Sequence, residues 1–338
     1  MRLALLCFSL GMLAPPTPGQ TIYQTSFDDQ GGWTMPPQNG PGDPYWAVDD
    51  RPSQAPYGAF LSPPFSLNYN NNVNYNGQAI PGETATSPPI DLSVASGLPL
   101  LSFWCNNLSC EGTCNFHERF RVYVRALSGT TLTSLCLSWA GYYAPVVCIK
   151  NGGWHPHYLV LDRTWGPVHI EFEVRHDGIL TSCEGWFVDD LSVVDYPTPT
   201  VFCTAKVNSQ GCTPQIATAG TPSLSFGPPL VISVTQVINN KTGIFFYGYG
   251  GPAAIPFQGG TLCSAPPRRR TPQQLSGGNP PPNDCSGKYS FDFRSWALGG
   301  SDPGLVPGTS LVGQFWYRDA GAPFDTGLSD AVDFVLLP

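Results

Sequence analysis

The chain has 338 residues, a formal net charge of −8 and a charged fraction of only 12%. A sparse negative balance argues against nucleic acid, which needs a basic face to neutralise phosphates. Gly and Pro are abundant at 37 and 36 residues, yet aromatics reach 12%; this excludes a disordered Gly/Pro chain and favours many short strands joined by turns, in about two domains.

Residues 1–20 read as a signal peptide. Arg2 supplies the leading charge, Leu3 to Leu13 the apolar run, and Ala14 to Gln20 the small residues and prolines of a cleavage region. The run is too short for a membrane-spanning helix. Export predicts a secreted or cell-surface protein, and no later segment is long and apolar enough to cross a bilayer.

The first domain is expected over residues 21–196. It opens at Phe27-Asp28-Asp29-Gln30-Gly31-Gly32-Trp33, followed over 34–76 by an irregular excursion rich in Pro, Gly, Asn and Tyr. Ser87 to Leu92 suits an edge strand, because proline cannot donate to a ladder. Leu98 to Cys105 reads as a buried apolar run. Phe120, Val122 and Val124 alternate with polar residues, as do Ile170, Phe172 and Val174, and this period of two marks half-buried strands. Leu132 to Trp139 and Trp154 to Leu161 supply two more. The closing strand is Gly185-Trp186-Phe187-Val188-Asp189-Asp190-Leu191-Ser192-Val193. Its apolar phase slips between Val188 and Leu191, which predicts a bulge at Asp189-Asp190.

A Pro/Thr linker is expected at 197–200, held extended by its prolines. Residues 201–338 read as a second, smaller all-β, sandwich-like domain. Its strands are Leu230 to Ile238, Gly243 to Gly248, the alternating Tyr289, Phe291 and Phe293, Leu311 to Arg318, and Ala331 to Leu337, with the stretch Phe257 to Cys263 following the second of them. Arg268-Arg269-Arg270 lies between prolines; one reading is a contact for an acidic polymer, and the preferred one is a solvated loop.

Once the leader with Cys7 is removed, ten cysteines remain, and an even number in an exported chain favours disulfides. Cys105, Cys110, Cys114, Cys136, Cys148 and Cys183 precede the linker; Cys203, Cys212, Cys263 and Cys285 follow it. Pairing in chain order predicts Cys203–Cys212 and Cys263–Cys285. No paired Cys-x-x-Cys spacing supports zinc.

Chemistry is scarce. No serine-hydrolase elbow, zinc-protease helix, phosphate loop or dinucleotide fingerprint is present. His155 and His157 share a strand face but make only two ligands, short of a metal centre. Adjacent Asp189 and Asp190 repel unless solvent, backbone donors or a cation relieves them; calcium is one reading and a solvated acidic turn the other. Trp139, Tyr142, Tyr143 and Trp154 offer flat surfaces on which a pyranose ring can stack, or else they serve as core and lid.

The opening Phe-Asp-Asp with Gly-Trp, the Leu-Ser-Phe-Trp strand, the Trp154–Leu161 strand and the closing Gly-Trp-Phe-Val-Asp-Asp-Leu-Ser-Val together resemble the jelly-roll family that includes MAM domains and many carbohydrate-binding modules. The resemblance covers about residues 22–196. It implies a jelly-roll β-sandwich and a structural calcium joining Asp28 or Asp29 to Asp189 or Asp190. The second half, by its Cys-Thr-Ala-Lys start, Asn-Asn-Lys-Thr-Gly-Ile-Phe-Phe-Tyr-Gly strand and Asn-Pro-Pro-Pro-Asn-Asp-Cys loop, resembles a C-terminal module of large secreted proteins of planctomycete-type bacteria. Three functions follow as expectations. The first is a non-catalytic binding protein recognising a polysaccharide or other surface component. The second is a structural or adhesion protein making protein contacts only. The third is a hydrolase built on an acid pair.

Overall fold

A computed structural model of the chain describes residues 19–38, 40, 45–50, 60–70, 79–107, 118–136, 153–177 and 185–338. The leader expected over residues 1–20 lies, up to Pro18, outside them. The fold is all-β. Two compact units meet the eye in the chain, Gly19–Tyr196 and Pro197–Pro338.

The first unit contains β1 (Gln20–Thr25), β2 (Tyr45–Asp49), β3 (Ser66–Asn70), β4 (Ala79–Thr86), β5 (Ile90–Asp91), β6 (Leu98–Asn107), β7 (Glu118–Ala126), β8 (Thr131–Cys136), β9 (His155–Val160), β10 (Pro167–Asp177) and β11 (Trp186–Tyr196). One sheet runs β2-β3-β11-β6-β9, with β1 also on β11; the other runs β4-β10-β7-β8, with β5 also on β10. All these pairings are antiparallel.

Alternation builds the core. Val122 and Val124 of β7, and Ile170, Phe172 and Val174 of β10, are fully buried while Arg121, Tyr123, Glu171 and Glu173 beside them are half-buried. Phe172 of one sheet meets aromatics of the other, with ring centroids 5.2 Å from Phe103 and 5.3 Å from Trp186. Each such ring buries area contributing about 1.5–3 kcal/mol. The expected bulge is present. Trp104 of β6 faces Asp189 and Ser102 faces Ser192, so β11 carries one extra residue. Asp190 takes the left-handed conformation at φ 47°, which Asp tolerates better than most residues. The extra residue returns Leu191 and Val193 to the core that holds Trp186 and Val188. The bulge is also where β11 changes partner, from β3 along Trp186–Val188 to β1 along Leu191–Asp195.

The second unit contains β12 (Thr200–Phe202), β13 (Gln215–Ala219), β14 (Val231–Val237), β15 (Thr242–Gly248), β16 (Pro252–Phe257), β17 (Gly260–Ser264), β18 (Arg268–Leu275), β19 (Gly287–Asp292), the short helix α1 (Phe293–Leu298), β20 (Ser310–Arg318) and β21 (Thr326–Val335). A sheet ordered β12-β21-β20-β15-β18 accompanies a smaller one ordered β13-β14-β19 and the β16-β17 hairpin. Their shared core includes Phe245, Tyr247, Tyr289 and Phe315.

Three sequence expectations are corrected here. The disulfides are Cys203–Cys263 and Cys212–Cys285, each with Cα atoms 6.3 Å apart. Chain-order pairing fails because the fold seats each cysteine beside one from a distant segment, 60 and 73 residues away. Arg268-Arg269-Arg270 begins a strand on β15 rather than a loop. Phe293 does not extend its strand: Asp292 accepts the Ser295 N–H at 2.9 Å and caps a helix instead.

Candidate functional site

The closing strand positions the site. Because β11 lies between β1 and β6, and β6 lies between β11 and β9, four strands set side chains in rows across one face. Gln24, Ser192, Ser102 and Tyr158 face one another in register. The next row holds Asp189, Trp104 and Pro156. This is the outer face, since Leu101, Phe103 and Cys105 of β6 enter the core while Ser102 and Trp104 between them stay half-buried. The Ser102 and Ser192 hydroxyls lie 2.8 Å apart. Burial raises the pKa of the Tyr158 phenol, and the neighbouring Tyr196 phenol raises it further. Burial likewise raises that of Tyr196. Both phenols therefore stay protonated at neutral pH and can donate. The first row offers hydroxyls and an amide without a formal charge, and the next adds the Trp104 indole face beside the fully buried Asp189 carboxylate. That set suits a neutral polyol, whose hydroxyls bond to side chains and whose C–H face packs on aromatic rings.

The acids sit at the edge of this face. Asp28, Asp29 and Asp190 line a polar hollow of about 510 Å³ together with Gln24 and Ser192. Asp28 accepts from the Ser26 hydroxyl at 3.1 Å, Asp29 from the Gly31 N–H at 2.7 Å, and Asp190 from the Ser62 hydroxyl at 2.9 Å. Each uses one carboxylate oxygen in these bonds, so oxygen donors of the type calcium takes are present. They do not converge to within 4.8 Å of one another. Asp189 plays a different part. It is fully buried, and its carboxylate accepts N–H groups from Leu61 at 2.8 Å, Ser62 at 2.9 Å and Asp190 at 2.8 Å. Burial pushes its pKa up to about 6 against the lowering effect of those donors. The Asp-Asp pair thus ties the approach to β3 onto the bulge where β3 gives way to β1.

Trp154 is half-buried and packs with Phe60 against Phe187 on the outward side of β11. Trp139, Tyr142 and Tyr143 lie outside the described residues, as does the pairing of Cys110, Cys114, Cys136, Cys148 and Cys183. His155 and His157 do share a face, and the structure adds a third group. Their Nε2 atoms lie 3.6 Å and 3.2 Å from the Cys105 sulfur. Among the described residues this is the one set of three His, Cys, Asp or Glu ligand atoms within 4.8 Å. Cys105 is disulfide-bonded, and a disulfide sulfur supplies no thiolate ligand. Glu171 and Glu173 meet cross-strand partners, an Arg125 ion pair and the Tyr123 hydroxyl at 3.3 Å. Their local chemistry is a surface ladder.

No family model matches the chain, and no curated protein matches it. Solved structures do resemble it. The TmCBM61 module in complex with β-1,4-galactotriose is 12% identical over 50% of this chain and 97% of its own, with a TM-score of 0.31. The K3 cleaved adhesin domain of Lys-gingipain from Porphyromonas gingivalis W83 is 16% identical over 51% and 98%, with a TM-score of 0.32. The CBM22-1 xylan-binding domain of Paenibacillus barcinonensis Xyn10C is 12% identical over 54% and 98%, with a TM-score of 0.30. At these identities and scores the likeness assigns no ligand to this chain.

Sequence reasoning missed Ser102, Trp104 and Tyr158. The signal was Ser102 within the apolar Leu98–Cys105 run, one polar residue that betrays alternation in a stretch otherwise read as buried on both faces.

Proposed function

We propose that this is an exported, non-catalytic glycan-binding protein whose first unit holds a neutral polysaccharide on the outer face of β1, β11, β6 and β9. The row Gln24–Ser192–Ser102–Tyr158 beside the Trp104 ring carries this reading. It combines uncharged hydrogen-bonding groups with half-exposed aromatic surface, as polyol recognition requires. The oxygens of Asp28, Asp29 and Asp190 in the adjoining hollow are of the type calcium takes, but they would have to draw together from where they stand to hold the ion, while Asp189 holds the bulge behind them. Two disulfides in the second unit support export to an oxidising compartment. No helix among the described residues is long and apolar enough to cross a membrane.

The test is retention of the oxidised protein on a panel of neutral insoluble polysaccharides, with and without calcium. Trp104→Ala and Tyr158→Ala are each expected to weaken retention by about tenfold, the loss of one stacking or charged-free hydrogen-bonding contact. Wild-type retention by both variants, or no retention of the parent protein on any member, contradicts the proposal and moves the function to protein contacts alone.

A further inference from the structure

We infer that the second unit carries its own site, for an anionic saccharide, in the cavity between β15, β18, β20 and the β16-β17 hairpin. This goes beyond the neutral-glycan reading of the first unit and stands on different residues. The cavity holds about 400 Å³, within the range of small-ligand sites.

Register builds its floor. Ile244 of β15 faces Trp316 of β20, Phe246 faces Arg270 of β18, and Gly248 faces Arg268. Strand alternation then sorts the arginine run. Arg268 and Arg270 line the cavity, whereas Arg269 faces Tyr247 and pairs with Asp302 at 3.5 Å. Phe257, Gln258 and Leu262 of the hairpin form the wall.

The wall is fixed before any ligand arrives. The Cys203–Cys263 disulfide ties down β17. Lys206 is buried and donates to the carbonyls of Gln258 at 2.8 Å, Pro323 at 2.6 Å and Thr326 at 2.6 Å. Gln314 accepts from the Cys263 N–H at 3.1 Å and donates to the Thr261 carbonyl at 3.0 Å. The Gln258 side chain in turn accepts the Trp316 indole N–H at 2.9 Å, which sets the plane of the ring. Pre-organisation of this kind lowers the cost of binding.

The charge of the cavity is one-sided. No carboxylate lines it. Arg268 is held by the Ser264 carbonyl at 2.7 Å from Nε. Arg270 is exposed and has no ion pair among the described residues. Arg318 lies over the Trp316 ring, 5.0 Å from its centroid. Guanidinium groups beside aromatic faces fit a sugar ring bearing a carboxylate or a sulfate: the ring packs on Trp316 and Phe257, and the planar anion meets the arginine fork.

The test is titration of the full oxidised chain with three probes at low and physiological salt: oligogalacturonate, an oligosaccharide of sulfated galactan, and neutral galactan oligosaccharide. Oligogalacturonate or the sulfated probe is expected to bind, and their comparison tells carboxylate from sulfate. Arg270→Ala and Trp316→Ala are each expected to weaken that binding about tenfold. Arg269→Ala removes the same charge from the opposite face and is expected to leave it unchanged. Arg270 is exposed, so its variant keeps the test valid should Trp316→Ala unfold. Equal weakening by Arg269→Ala, equal affinity for neutral galactan, or no binding of either anionic probe overturns the site.

Discussion

His157 shows how burial, with a neighbouring imidazole, turns one side chain into a pH-dependent element of stability. It lies against Phe103, with ring centroids 5.2 Å apart. Burial, then the neighbouring His155, lowers its pKa from 6.5 to about 3. Between those values the unfolded chain binds the proton and the folded chain does not. The stability associated with the neutral ring is therefore present above pH 6.5 and lost as pH falls towards 3. His157→Phe keeps a ring against Phe103 and removes the titration. Its stability relative to the parent protein is expected to improve by roughly 2 kcal/mol on going from neutral pH to pH 5, read from denaturant unfolding at several pH values. A constant difference across that range contradicts the assignment. Asp189 supplies a second residue-scale case. Asp189→Ala leaves the N–H groups of Leu61 and Ser62 without their fully buried acceptor. A loss of about 2–4 kcal/mol is expected, measured by chemical denaturation. The bulge at this acid pair was legible from sequence, since a phase slip in an alternating strand has few other causes. Asp189's task was not, because two of its three backbone donors come from residues more than a hundred positions earlier.

Strands explain both what the sequence revealed and what it concealed. Alternation in β7 and β10 was plain because their outward residues are charged or aromatic-polar, such as Arg121, Tyr123, Glu171 and Glu173. In β6 the outward residues are Leu100, Ser102 and Trp104, so the candidate face was camouflaged as apolar core. β18 was concealed differently. Pro266 and Pro267 precede it and Pro272 lies within it, a composition that reads as loop although an edge strand accommodates it; β18 is indeed terminal in its sheet. Disulfide partners were illegible for a topological reason, since 15 or 3 connectivities satisfy the same counts in the two halves. At this scale the β16-β17 hairpin depends on Lys206. Lys206→Met keeps the apolar stem and removes the donor from three carbonyls. It is expected to destabilise the second unit by about 2–4 kcal/mol, seen as a lowered midpoint in denaturant. An unchanged midpoint would show that the hairpin is held by its disulfide and Gln314 alone.

Across the whole molecule, two units with separate aromatic cores imply two largely independent stabilities. Among the described residues, the aromatic partners of Phe172 (Trp33, Trp46, Phe103 and Trp186) all lie in the first core. Phe172→Ala is expected to cost that unit about 3–5 kcal/mol and to leave the unfolding of the second in place, which calorimetry resolves as one shifted and one fixed transition. A single transition shifted as a whole would show that the units unfold together. The all-β class was legible from composition and alternation, because many short strands need the turns and aromatics this chain supplies. Placement of the candidate faces was not, since each row draws residues from strands far apart in the chain.

The claim that the first unit binds neutral glycan on its outer sheet face is tested most directly by calorimetric titration of the full oxidised chain with a neutral oligosaccharide selected by retention. Wild type, Trp104→Ala and Trp316→Ala are compared at one calcium concentration. The expected result is weak or lost binding for Trp104→Ala and wild-type affinity for Trp316→Ala. Wild-type affinity for Trp104→Ala would contradict it, and the outer face of β6 would no longer be the site.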